Sequence, residues 1–322
     1  MTDNSQWIRR CELLVANQTE ALDLSQFRIV FQIRNADTES PNTAIIRVFN
    51  LSHDTVYKIT NSYSNEFGGE FTNVILNAGY VSGNYGAVFK GTIKQYRFGR
   101  ENNTDTYLDI MAADGDLGFN QGVVNMTIKA GVTTGAVAQA VAKTMTDNVD
   151  VTALTTDLQH VPNLRNQVLF GMARSQLRGY VNTLDSTWSI QDGVVVILDK
   201  GGYLPGEAVE INVATGLIGV PEQTAEGIAL TCLLNSRIRI GGRIKLNNSE
   251  VVQLIQSNPN AAPLVFSQWA AIQKNAAMPN DGVYRAYVVE HEGDTRGNVW
   301  YSHLTCLAVD STAAANKSVK VA

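Results

Sequence analysis

Phe27, Ile29, Phe31 and Ile33 alternate with Arg28, Gln32 and Arg34. A side-chain period of two fits a strand with one buried and one wet face, and it fits no helix. The theme recurs through the first third of the chain. A Pro41-Asn42 turn leads into 43–51, where Ile45, Ile46, Val48 and Phe49 make both faces apolar. Residues 73–80 read as another strand, closed by the turn-forming run Val81–Gly86. Residues 87–99 and 104–113 follow, joined by the polar turn Arg100–Asn103. Short strands at this spacing predict a barrel or a sandwich. Between them, 51–64 accommodates one short helix, with Ser52 as cap and Val56 and Ile59 on one face.

The pattern changes near residue 120. Thr133 or Thr134 caps a stretch in which Val137, Val141 and Met145 recur every four residues beside small Ala138 and Ala142, the stripe of a helix packed on a sheet. A second helix is expected over 164–184, with Val168, Met172 and Leu177 on its apolar side. Residues 188–191 and 194–198 form a hairpin about Asp192-Gly193. Strands return at 207–213, 227–233, 243–246, 282–291 and 299–309, the last two paired across Gly293–Asn298. An Asn/Pro/Ala-rich excursion at 247–280 carries one helix near 266–274.

The fold class expected is therefore mainly β with a smaller α+β part. A first β domain spans 1–118 and a middle α+β domain 119–204. A second β domain spans 205–310, with an inserted loop and helix at 247–280, and 311–322 is a flexible tail.

Composition narrows the function. Charged residues make up 17% of the chain, against about 25% in an ordinary globular domain. The 25 Lys and Arg against 30 Asp and Glu give a net charge of -5, which argues against broad phosphate-backbone binding. The surface must then be rich in Asn, Gln, Ser and Thr, groups cheaper to desolvate than ions and suited to a permanent assembly. Residues 1–10 hold no apolar core of a secretory signal, and no window reaches the roughly 18 apolar residues of a membrane span. Cys11, Cys232 and Cys306 are odd in number and far apart, which excludes a disulfide scaffold and a CxxC knuckle. Cys232 and Cys306 read as reduced core thiols.

A search for chemistry assigns no catalytic, cofactor-binding or metal residue. No GxxxxGK[ST], GxGxxG or GxSxG occurs. His291-Glu292-Gly293-Asp294 is the densest ligand-like run, but it enters a hairpin turn and has no second His at i+4. His303, on the facing strand, is expected to meet His291 or Glu290 as a cross-strand polar pair. Glu66 and Glu70 flank Gly68-Gly69 and are the candidates for a lysozyme-like acid pair, although an acidic glycine loop is ordinarily just solvated. Asp114-Gly115-Asp116 lacks the remaining ligands of a calcium loop and reads as a turn.

Three ordered segments carry a resemblance. They are Pro41–Ser52 with Ala78-Gly79-Tyr80 and Phe89–Ile93; Gly216–Thr224 continuing through Gly227–Asn235 and Arg243–Leu246; and His291–Tyr301. Together they resemble the baseplate hub proteins of contractile-tailed bacteriophages, including Mu-like and related myophages. The resemblance implies two β-barrel-like tube domains, at 1–118 and 205–310, flanking the middle domain. It implies a homotrimeric ring of non-enzymatic protein that adapts a sixfold tail tube to a threefold central spike. Its expected partners are the central spike protein, a tail tube or tube-initiator protein and other baseplate proteins, with no membrane and no cofactor. DNA or tape-measure passage through the bore is compatible with this picture, but specific binding is not expected. The location implied is the virion baseplate, assembled in the host cytoplasm. In this family pattern Gly219 and Pro221 shape a turn. The alternatives are a tail-associated cell-wall hydrolase, which would need a catalytic set, and a carbohydrate-binding module, which would need exposed aromatics where Trp188 and Trp300 look like core.

Overall fold

The computed structural model of the chain describes residues 6–17, 20–60, 72–224, 227–246, 252–253 and 282–309. The first part of the chain forms β1 (Arg9–Ala16), β2 (Ala21–Asp23), β3 (Ile29–Ala36), β4 (Thr43–Phe49), α1 (His53–Thr60), β5 (Asn73–Tyr80), β6 (Tyr85–Arg100) and β7 (Thr106–Ala113). The strands pair antiparallel in the order β2-β1-β5-β6-β7-β4-β3. On β3, Ile29, Phe31 and Ile33 are buried while Gln32 and Arg34 are exposed, as the alternation requires. Ser52 caps α1, its Oγ accepting the Thr55 N–H at 3.1 Å, and Val56 and Ile59 face inward.

The middle of the chain adds α2 (Asp116–Gln121), β8 (Val123–Ile128), α3 (Thr134–Ala142), β9 (Asn148–Ala153), β10 (Gln167–Met172), α4 (Ala173–Thr183), β11 (Ser186–Gln191) and β12 (Val194–Asp199). β8 and β10 make a two-stranded ribbon, and β11, β12 and β9 make a three-stranded sheet. Asp192 and Gly193 both adopt positive φ, 54° and 80°, the geometry of a two-residue hairpin turn. The helix expected over 164–184 forms only in its second half. Residues 167–172 are β10, because Val168 and Phe170 point outward while Leu169 between them packs inward, a period of two inside an apparent helical stripe. Gly171, at φ 124°, lies at the turn from strand to helix.

The last part contributes β13 (Val209–Ile211), β14 (Leu217–Thr224), β15 (Gly227–Leu233), β16 (Arg243–Leu246), β17 (Val252–Gln253), β18 (Val283–Asp294) and β19 (Trp300–Ala308). The Gly219–Pro221 turn is instead an irregularity inside β14: its register against β15 shifts between Ile218 and Glu222, with Gly219 at φ 72°.

The expected class, mainly β with a smaller α+β part, holds, but the two β regions are not separate barrels. They join in one fourteen-stranded sheet whose strand path is open among the described residues. The joint is β18. Its first residues pair with β16, its later ones with β3, and β19 lies along its other edge. A twelve-residue strand outruns either neighbour alone, so it serves two ladders.

Three apolar clusters lie behind these sheets. The first gathers side chains from β1, β3, β4, β5 and β7 with Leu234 and Trp300; the buried residues of the second run from Val124 to Ile197, with Phe119 packed against them; the third contains Ile244, Tyr284, Val289, Leu304 and both Cys232 and Cys306. The β18–β19 hairpin thus places its tip, at Trp300, in the first cluster and its base in the third. Trp188 and Trp300 are both fully buried. The helix expected near 266–274, most of the 247–280 excursion and the tail after 310 lie outside the described residues.

Candidate functional site

A densely bonded polar region occupies the meeting place of the three clusters. Asp37, just past β3, pairs with Arg285 of β18, and both are buried. Arg285 Nη1 also donates to the Gly202 carbonyl at 3.0 Å, and Thr187 of β11 hydrogen-bonds Asp37. Asn42 Nδ2 donates to the Ile190 carbonyl at 2.9 Å, and Asp114 Oδ1 accepts the Gly193 N–H at 2.8 Å. These bonds tie the outer ends of β3, β4 and β7 to the β11–β12 hairpin. A cavity of about 170 Å³ remains at the junction, lined by Asn42, Asp114, Asp192, Lys90, Arg239 and His291 among others. Burial pushes the Asp114 carboxyl up to about 6, and pushes His291 down to about 4 with help from nearby His303.

Of the chemistry-bearing residues singled out from the sequence, His291 and Asp114 share that cavity, and the others described are engaged elsewhere. Strand alternation turns His291 inward, where Nδ1 meets Ser302 Oγ at 2.8 Å. It turns Glu292 outward to His303 Nε2 at 2.9 Å, and Asp294 is held by Arg28 at 2.7 Å. His303 stands opposite Glu290 on β18 but bonds diagonally to Glu292, and it bonds straight across to Thr231 on β15. Asp114 serves the hairpin turn while Asp116 pairs with Lys94. Among the described residues no group of three His, Cys, Asp or Glu side chains lies close enough to hold a metal ion. Glu66 and Glu70 lie outside the described residues.

What the fold offers instead is surface. The outer face of the shared sheet carries cross-strand ion pairs: Arg97 and Arg47 both grip buried Asp109, Arg28 holds Asp294, and Arg34 meets Glu290 at 3.2 Å. Tyr107 lies under the Arg47 guanidinium at 4.1 Å. The β8–β10 ribbon presents Val123, Asn125, Thr127, Val168 and Phe170, a face without charge, on which Phe170 is 73% exposed. Sequence reasoning missed it by reading β10 as helix. A third patch lies where Gln6 Nε2 donates to the Thr215 carbonyl; Trp7 and Ile8 beside it and Val213 are largely exposed. Exposed aromatic and aliphatic groups gathered on one face are candidates for an interaction surface.

The fold of the described residues is shared by solved tail proteins. The 43 kDa tail protein of prophage MuSo2 from Shewanella oneidensis matches with a TM-score of 0.54 at 7% identity, covering 93% of this chain and 97% of that one. A tail protein from Neisseria meningitidis MC58 matches at 0.53 with 10% identity, covering 93% and 96%. At these identities the likeness is one of fold. No curated protein matches the sequence. The model of the family described as baseplate hub gp41 matches residues 11–253, and the chain belongs to that family. It is a structural component of a phage tail baseplate and hence of the virion. No helix among the described residues is long and apolar enough to cross a membrane.

Proposed function

We propose that the protein is a non-enzymatic hub whose three copies form a ring, presenting two tube-like β domains per chain to a sixfold tail tube and a threefold face to a central spike. The observation that supports this reading is the shared sheet: two β regions run edge to edge through β18 and β3, and the reading takes them as the two tube-like domains of each chain. Domains at 1–118, 119–204 and 205–310 belong to the same proposal, as do the tube or tube-initiator and other baseplate partners. A closed ring needs one surface of each chain to meet a different surface of the next. The uncharged ribbon face and the Trp7 patch are two such surfaces, apolar enough for a permanent contact. Mass photometry of the hub co-expressed with its spike protein tests the stoichiometry. Three hub chains per spike trimer is the expected result; six hub chains in the ring would refute the two-repeat architecture.

A further inference from the structure

We infer that the segment 235–243 forms an anion-binding groove that docks a carboxylate-bearing segment of another protein. Ile238 and Ile240 are buried in the third apolar cluster, so alternation turns Arg237 and Arg239 to the solvent side together. Both side chains line one cavity of about 280 Å³ with Arg243. Among the described residues neither guanidinium has an ion-pair partner or a side-chain hydrogen bond, whereas Arg28, Arg34, Arg47, Arg97, Arg178 and Arg285 all have carboxylate partners. Arg243 stacks on Tyr203 at 4.8 Å and donates to the Gly206 carbonyl, which holds its plane in the cavity wall. Its Nε is buried with no hydrogen-bond partner among the described residues.

The carboxylates of the wall are Asp150 and Glu207. Two carboxylates against three guanidiniums leave this wall one positive charge in excess, with Arg239 also bordering the first cavity beside Asp114 and Asp192. Three guanidiniums around one small cavity match the forked geometry of a carboxylate, which can be held by two parallel N–H···O bonds. A nucleic-acid backbone would ask for a long cationic stripe; here two carboxylates interrupt the wall and the chain is net negative at -5. The occupant is therefore an acidic stretch of a protein partner. This inference goes beyond the ring and does not depend on its stoichiometry.

The test uses the full chain and a fluorescein-labelled tetraglutamate peptide, with binding read by anisotropy at low salt. Tetraglutamate should bind at least about tenfold tighter than tetraglutamine, and R237Q/R239Q should lose that preference while R34Q keeps it. The peptide should also protect Arg237 and Arg239 of the unaltered chain from phenylglyoxal, a readout independent of how the variant folds. Equal binding of the two peptides, or no protection, overturns the inference. So does inorganic phosphate displacing the peptide at equal concentration, which would make the groove a small-ion site.

Discussion

His291 and Asp114 line one cavity and titrate with opposite effects on stability. His291 is held below its ordinary 6.5, so the unfolded chain binds the extra proton and stability falls as pH drops from 6.5 through about 4. Asp114 is raised above its ordinary 3.8, so the folded chain binds the extra proton and stability grows as pH drops from about 6 toward 4. At either group, a tenfold difference in proton affinity between the folded and unfolded chain is worth about 1.4 kcal/mol, and the two windows overlap. Asp114→Asn should therefore expose the histidine, giving a melting temperature that falls steeply between pH 6.5 and 4. His291→Gln should give the reverse slope over the same range; parallel slopes in the two variants would contradict this. Arg285 makes a second case. Truncation to Met leaves the Asp37 charge buried and alone, an expected loss of about 3–5 kcal/mol in chemical denaturation. The double change R285M/D37L should recover much of that loss. Residue chemistry was partly legible in the sequence: Trp188, Trp300 and the two strand cysteines Cys232 and Cys306 all read correctly as core. His291 did not, because polar residues approaching a hairpin look solvated in sequence, and its burial depends on the first β region closing over it.

At the level of elements, the β18–β19 hairpin matters most. Gly293 lies opposite Phe31, and a Cβ there would come within 2.4 Å of the Phe31 ring and 2.8 Å of Trp300. Those two rings meet edge to face at 5.5 Å between centroids, in the space a side chain would fill. Gly293→Ala should cost about 1–3 kcal/mol by overpacking, measured by urea unfolding. β10 bears on assembly instead. Phe170→Asp, on its exposed face, should shift the melting temperature little yet lower recovery of hub–spike complexes severalfold in co-purification; unchanged recovery would remove that face from the interface. Strands with one wet face were legible from alternation, as was α1 from its cap. β10 was not, since Val168, Met172 and Leu177 mimic a helical stripe until Leu169 is seen packing on the other side.

For the whole molecule, the domain boundaries proposed from the sequence can be tested with fragments. The buried residues of the second apolar cluster run from Val124 to Ile197, and Phe119 packs against them, so a 116–204 fragment should melt cooperatively. The first cluster needs Leu234 and Trp300 from far along the chain, so a 1–118 fragment should be insoluble or lack a cooperative transition. A folded 1–118 fragment would restore the picture of separate barrels. That picture was the natural one from sequence, because local patterning reports which face of a strand is buried but not which strand lies beside it. The β18–β3 pairing joins residues almost the whole chain apart, and nothing in either strand's composition announces it.

The same pairing sets a clock on biosynthesis. While the chain grows on the ribosome, β3 and the core behind it wait for Trp300 until the entire middle and most of the second β region have been made. At about 5–20 residues per second, that delay is on the order of ten to fifty seconds. During it, the edge of β3 is unpaired and Phe31 lacks its ring partner. A nascent chain therefore cannot offer a finished sheet to a neighbour before β19 has been made.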